Sequence, residues 1–364
     1  MKSILLIIHL ISFCTFGQLL SNENAWISGN LGGGLVIPEY SNITYSVNRP
    51  IINFNVALIK RSIGKHFYEQ LYRYPEFGIN LGFTSLGNPS VFGQEFNLYP
   101  FLRTFFVRKK KTAIFHQFGF GIGIATKKFD LLNNPDNISV GSHVNMHFDY
   151  QIGVRYSLNK HWGIEPSIRF SHFSNANMAE PNLGLNLLTA NLSLLKSIGN
   201  QSELIKQEIP SNIKKIEFSL IYAAGGKHPR ALQSKIYFTS SLSAAISYHA
   251  FHKFHFGLGM DLFYDSSTKT ELSINPNQSY QPGDEFSSGI HASQEIVFNT
   301  FSFILQEGLH LGLIDPVHKS RMYNRAIIRW KCSQRLVVQF SMKSHLHILD
   351  YPEFGIGYYF TTTK

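Results

Sequence analysis

The sequence predicts an all-β fold, a transmembrane antiparallel outer-membrane β-barrel of about 14–16 strands, and three observations carry that expectation. Period-two alternation of apolar and polar residues recurs along most of the 364-residue chain. The composition is rich in aromatics and glycine, with 31 Phe, 17 Tyr and 28 Gly against only 15% charged residues. Beyond the N-terminus, no window is apolar for the roughly 20 residues that a spanning helix requires.

The alternation is plainest in the middle of the chain. Phe148, Tyr150, Ile152, Val154 and Tyr156 alternate with His147, Asp149, Gln151, Gly153 and Arg155. Successive strand side chains face opposite sides, so such a run presents one apolar and one polar face. Comparable runs place strands near 27–37, 50–61, 74–85, 94–107, 112–125, 143–157, 161–173 and 184–197. A second series lies near 213–224, 235–248, 252–265, 286–298, 301–312, 321–331, 334–346 and 351–361. Each is long enough to cross a bilayer when tilted.

The connectors alternate in length as barrel loops do. Segments 126–142, 174–183 and 266–285 are long and fall on the side expected to face outward. Leu158-Asn159-Lys160, Asn299-Thr300 and Lys331-Cys332-Ser333 are short and fall on the periplasmic side. Connectors 62–73 and 198–212 break this rule, and the second joins two halves, 18–200 and 210–364. The hexapeptide Tyr-Pro-Glu-Phe-Gly-Ile occurs at 74–79 and again at 351–356, both times at a strand start.

Residues 1–17 read as a signal peptide, with Lys2, the apolar run Ile4 to Phe13, and Thr15-Phe16-Gly17 before Gln18. Export to the outer membrane follows. Apart from Cys14, the single cysteine is Cys332, so no intrachain disulfide is expected in the mature chain. The net charge of +10 is scattered except at Arg108 to Lys111, a cluster expected in a periplasmic turn. An exported barrel meets no nucleic acid, so an anionic lipid surface is the expected partner.

Chemistry concentrates at the end of the seventh run. Ile164, Ile168, Phe170, His172 and Ser174 share its apolar face, opposite Glu165, Ser167, Arg169 and Ser171. Glu165 and Arg169 are expected to pair inside the barrel. In the eighth run, Asn186 shares the apolar face with Leu188, Ala190, Leu192 and Leu194, within cross-strand reach of His172. Serine becomes nucleophilic when an imidazole takes its proton, and the imidazole needs a third group to hold its tautomer. His172, Ser174 and Asn186 are therefore the candidate catalytic residues. Asn175 and the backbone amides of 175–177 are the candidate oxyanion donors. Glu180 is a rival third member, although a loop carboxylate is more often simply solvated. The bland alternative for His172 and Ser174 is ordinary polarity at a barrel rim, where polar side chains cost little.

The segment His172-Phe173-Ser174-Asn175-Ala176, followed by Pro181-Asn182-Leu183-Gly184-Leu185-Asn186, resembles the active-site motif of outer-membrane lipid A 3-O-deacylases and acyloxyacyl hydrolases. That family removes the 3-O-linked acyl chain of lipopolysaccharide. The resemblance implies that His172 is the base, Ser174 the nucleophile and lipid A the substrate. The family's well-known form carries Glu at the position of Asn186. Outer-membrane phospholipase A, a second barrel family with His-x-Ser-Asn, has Asn there. The familiar deacylases are eight-stranded, so the second half of this chain has no counterpart in them.

Phospholipase activity and a non-enzymatic porin-like barrel are the competing readings. No cofactor or metal is expected, although the phospholipase resemblance leaves calcium open. The pairs His252/His255 and His345/His347 lack a zinc-site spacing with a third ligand. Gly119, Gly121 and Gly123 imitate a nucleotide loop but lie within a strand with no helix after it.

Overall fold

The structure is a computed structural model that describes residues 23–39, 41–176, 179–212, 214–229, 235–274, 277–318, 321–346 and 348–361. The expected signal peptide and the backbone amide of Asn177 lie outside the described residues. Among the described residues there are sixteen strands and three short helices, and no helix is long and apolar enough to cross a membrane.

The sixteen strands close twice. The first barrel comprises β1 (Ala25–Ile37), β2 (Ile51–Arg61), β3 (Glu76–Ser85), β4 (Gln94–Arg108), β5 (Thr112–Ala125), β6 (Val144–Ser157), β7 (Trp162–Ser174) and β8 (Leu185–Ile198). Antiparallel pairing of β1 with β8, from Ala25 opposite Ile198 to Ile37 opposite Asn186, shuts the ring. The second comprises β9 (Ile216–Lys227), β10 (Tyr237–Tyr248), β11 (Phe254–Asp265), β12 (Phe286–Phe298), β13 (Phe301–His310), β14 (Met322–Lys331), β15 (Leu336–His345) and β16 (Ile348–Thr361). It shuts through β16 and β9. Helices α1 (Ser41–Ser46), α2 (Phe67–Leu71) and α3 (Thr268–Ile274) sit in connectors. The chain closes two rings because β8 pairs with β1, and β9 pairs with β16 and β10, so no ladder runs through the connector 199–215. Closure removes every sheet edge, the condition under which strands can sit in lipid.

The alternation sorts cleanly into a lipid-facing exterior and a filled interior. In β7, Ile168 is 62% exposed, whereas its neighbours Ser167 and Arg169 are buried. Apolar side chains on the outer face cost nothing against acyl chains, and polar ones inside satisfy each other. The lumen of the first barrel is plugged by charge. Arg155 donates to Glu76 at 2.7 Å and to Glu165 at 2.5 Å, and Arg103 donates to Glu165 at 2.7 Å. The expected Glu165–Arg169 pair is not made; Arg169 instead lies 3.2 Å from Asp149. Along one strand, residues four apart are about 13 Å apart, so each charge finds a cross-barrel partner sooner than an intrastrand one. Arg108 also turns inward, reaching Glu76 at 3.1 Å, which leaves Lys109 to Lys111 as the turn. Tyr99 fills the space that a Cβ at Gly119 or Gly121 would occupy, so these inward glycines serve packing.

The repeated hexapeptide has the same use in both barrels. Glu76 begins β3 fully buried among arginines, and in β16 the equivalent Glu353 is fully buried and faces Arg325 at 4.0 Å.

Candidate active site

One apolar cluster holds the site strands at the long-loop end of the first barrel. Phe173, Leu185 and Leu187 are buried there with Val36, Ile43, Ile51, Leu86, Phe92 and Val140. Phe173 separates His172 from Ser174, and Leu185 and Leu187 flank Asn186. Because neighbours on a strand point oppositely, anchoring these three apolar side chains inward forces His172, Ser174 and Asn186 onto the outer wall. All three are half-buried.

The register places His172 directly opposite Asn186 on β8, with Phe148 of β6 on its other side. Asn186 Oδ1 lies 2.7 Å from His172 Nδ1, and Ser174 Oγ lies 2.9 Å from His172 Nε2. An amide oxygen only accepts, so the ring donates from Nδ1 and its Nε2 accepts the serine hydroxyl. That tautomer is the one a general base requires. The geometry fits a hydroxyl poised to lose its proton toward a ring whose orientation is fixed from behind.

The loop after β7 is tied in place by its own backbone. Asn175 N–H donates to Asn182 Oδ1 at 2.9 Å, and Gly184 N–H donates to the Ser139 carbonyl at 3.0 Å. Gly184 adopts φ +70°, and a Cβ there would come within 3.0 Å of the His172 ring and 3.2 Å of Ser174 Cβ. Asn182 and Gly184 thus fix the loop that lies against His172 and Ser174. Their signal in the sequence is the stretch Pro181-Asn182-Leu183-Gly184, which by itself names no task for either residue.

The structure therefore brings together His172, Ser174 and Asn186. Asn175 follows Ser174 directly but is buried, and its backbone N–H is already given to Asn182. Asn186, not Glu180, occupies the Nδ1 side of the ring.

A family profile described as lipid A 3-O-deacylase matches residues 54–194, and one described as acyloxyacyl hydrolase, C-terminal domain, matches residues 216–362. No curated protein matches significantly. Among solved structures, an outer membrane channel from Pseudomonas putida F1 is 11% identical, covering 92% of this chain and 94% of that chain, with a TM-score of 0.19. A mutant of Rh. blastica porin is 9% identical over 92% of this chain and 99% of that chain, with a TM-score of 0.18. The siderophore receptor PirA from Pseudomonas aeruginosa is 10% identical over 93% of this chain and 80% of that chain, with a TM-score of 0.25.

Proposed function

Since the chain belongs to the lipid A 3-O-deacylase family, a family of lipid A hydrolases in the outer membrane, we propose that it performs this hydrolysis with Ser174 as nucleophile. The observation that carries the proposal is the relay Ser174–His172–Asn186 on the lipid-facing wall, with both hydrogen bonds in place. The long-loop end is read as the extracellular end, which puts the hydroxyl beside the acyl chains of the outer leaflet.

Ser174 Oγ attacks the ester carbonyl while His172 Nε2 takes the hydroxyl proton. The resulting imidazolium keeps its Nδ1–H on Asn186 Oδ1. The oxyanion needs donors, and Asn175 supplies one through its carboxamide, because its backbone N–H is spent on Asn182. Collapse breaks the ester C–O bond, and His172 gives its proton to the departing sugar oxygen, which leaves as a hydroxyl. Water, deprotonated by the same ring, then adds to the acyl-serine carbonyl, and the ring returns that proton to Ser174 Oγ as the fatty acid is released. Outward-facing Phe148 and Phe170, with ring centroids 6.4 Å apart, offer an apolar wall for the acyl chain next to the nucleophile.

A neutral third member suits this place. A carboxylate on the lipid face carries a desolvation cost that an amide avoids, and the amide still fixes the tautomer. Asn186 is also the one feature favouring a second reading, phospholipase A, whose motif has Asn at this spacing. Mass spectrometry of lipid A and phospholipids from cells expressing wild type or Ser174→Ala decides the matter. The expected result is lipid A short of one acyl chain with wild type only. Lysophospholipid in its place would support the second reading, and identical spectra would remove the serine mechanism.

A further inference from the structure

A second constellation lies at one end of the second barrel. Asp315 and His318 come from the β13–β14 loop, His345 ends β15, and Asp350 lies near the start of β16. One ligand atom from each of the four lies within 4.8 Å of all the others. His318 Nε2 is 3.3 Å from Asp350 Oδ1, and His345 Nε2 is 3.2 Å from both Asp315 Oδ2 and Asp350 Oδ2. Asp315 Oδ1 is already used by the N–H groups of Val317 and His318, which turns Oδ2 toward the cluster.

Hydrogen bonding alone does not explain His345. Lys343 Nζ, which can only donate, lies 3.1 Å from His345 Nε2. A proton on that nitrogen would face the Lys343 ammonium, and a lone pair would face two carboxylate oxygens at 3.2 Å, so neither state satisfies all three contacts. A cation held between a lone pair on Nε2 and the two carboxylate oxygens would satisfy them together. Charge points the same way. Lys227 Nζ is shared among Asp265, Glu271 and Asp350 at 2.9 Å each, and Lys343 binds Asp350 at 2.8 Å. With Asp315, four carboxylates surround two ammonium groups, so carboxylates outnumber ammonium groups in a largely buried cluster. Geometry gives a third indication. A tetrahedron of N and O ligands at the usual zinc distances of about 2.0–2.1 Å has edges of about 3.3–3.4 Å. The two separations that meet at His345 Nε2, to Asp315 Oδ2 and Asp350 Oδ2, are both 3.2 Å and fall close to that value, and all four ligand atoms lie within 4.8 Å of one another.

We infer that Asp315, His318, His345 and Asp350 form a binding site for a divalent transition-metal cation, with zinc as its natural probe. The cation neutralises the surplus charge and staples the β13–β14 loop to the ends of β15 and β16. Lys227 and Lys343 remain as partners of the Asp350 oxygens, orienting that ligand from outside the coordination sphere. The ligands are spread over 36 residues of sequence from Asp315 to Asp350, which is why no zinc spacing is visible in the chain.

The test uses the full chain purified in detergent, stripped with chelator, reloaded with zinc and passed through gel filtration. Elemental analysis is expected to find one zinc per chain, and X-ray absorption at the zinc edge to find two imidazoles with oxygen ligands and no sulfur. His318→Ala and His345→Gln, each checked for folding by heat-dependent electrophoretic migration, are expected to lose the bound metal. Zinc is also expected to raise the thermal midpoint of the wild type and not of either variant. Absence of retained zinc in wild type overturns the site, as does sulfur ligation or equal retention by both folded variants. If neither variant folds, the wild-type absorption spectrum decides alone.

Discussion

Asn186 Oδ1 accepts the Nδ1–H of His172 at 2.7 Å across a directly opposed β7–β8 pair, and this contact sets which ring nitrogen faces Ser174. Removing it leaves the ring free to adopt the other tautomer or to rotate from the hydroxyl. Asn186→Ala is therefore expected to lower kcat by about a hundredfold or more, the scale of losing an orienter or base function. Glu180→Ala is expected to stay near wild type. Lipid A deacylation rates for the two variants, measured in reconstituted vesicles, test the order. A greater loss at Glu180 would move the third role to the loop.

Phe173 supports the relay without touching its chemistry. It is completely buried between the two outward residues that it separates. Phe173→Ala leaves a cavity in the mouth cluster and is expected to cost about 3–5 kcal/mol of stability. Activity should fall together with the thermal midpoint, because the strand end that carries His172 and Ser174 loses its anchor. Scanning calorimetry alongside deacylation assays checks the coupling; full activity at a much reduced midpoint would separate the two.

Gly184 makes the opposite kind of contribution, through the absence of a side chain. Its φ of +70° strains any other residue, and a Cβ would press on the His172 ring at 3.0 Å. Gly184→Ala is expected to cost about 1 kcal/mol or more in backbone strain and to displace the imidazole from Ser174. The signature is a fall in kcat larger than the loss of stability. An unaffected rate would show that the ring tolerates the displacement.

The strand inventory was legible because lipid imposes a strict period of two on every spanning segment, and sixteen runs of it stand out in the chain. The closure pattern was less so. Alternation marks the two faces of a strand but does not name its partner, so whether β8 continues to β9 or returns to β1 depends on a ladder spanning 13 pairs. Within the site, Asn186 was legible through cross-strand register. The placement of Asn175 was not, because the chain turns there and alternation stops ordering the side chains. The partners of Glu165 escaped for a related reason: lumen contacts run across the ring, between residues as far apart in sequence as Arg103 and Glu165.

Glu165 tests how far the lumen network supports the barrel independently of the relay. Both its arginine partners are buried, with Arg103 at 2.7 Å and Arg155 at 2.5 Å. Glu165→Gln leaves two guanidinium groups short of countercharge, and removing one member of a buried pair costs on the order of 3–5 kcal/mol. The thermal midpoint should drop while deacylation at low temperature is preserved. Denaturant titration monitored by electrophoretic mobility measures the first, and fatty-acid release the second.

The second barrel offers a control written into its own alternation. β15 corresponds in order to β7, and near its end Ser344 is half-buried on the outer face. The adjacent imidazole, His345, is on the inward alternation and buried with Asp315, Asp350 and Lys343. In β7 the imidazole and hydroxyl are two residues apart and share a face; in β15 they are one apart and do not. A hydroxyl without a base on its own face has no means of losing its proton at neutral pH. Ser344→Ala is accordingly expected to leave lipid A deacylation unchanged, while Ser174→Ala abolishes it. Parallel assays of the two variants at equal amounts of folded protein make the comparison. A substantial loss in Ser344→Ala would mean that the second barrel takes part in the reaction, and that one serine per chain is not enough.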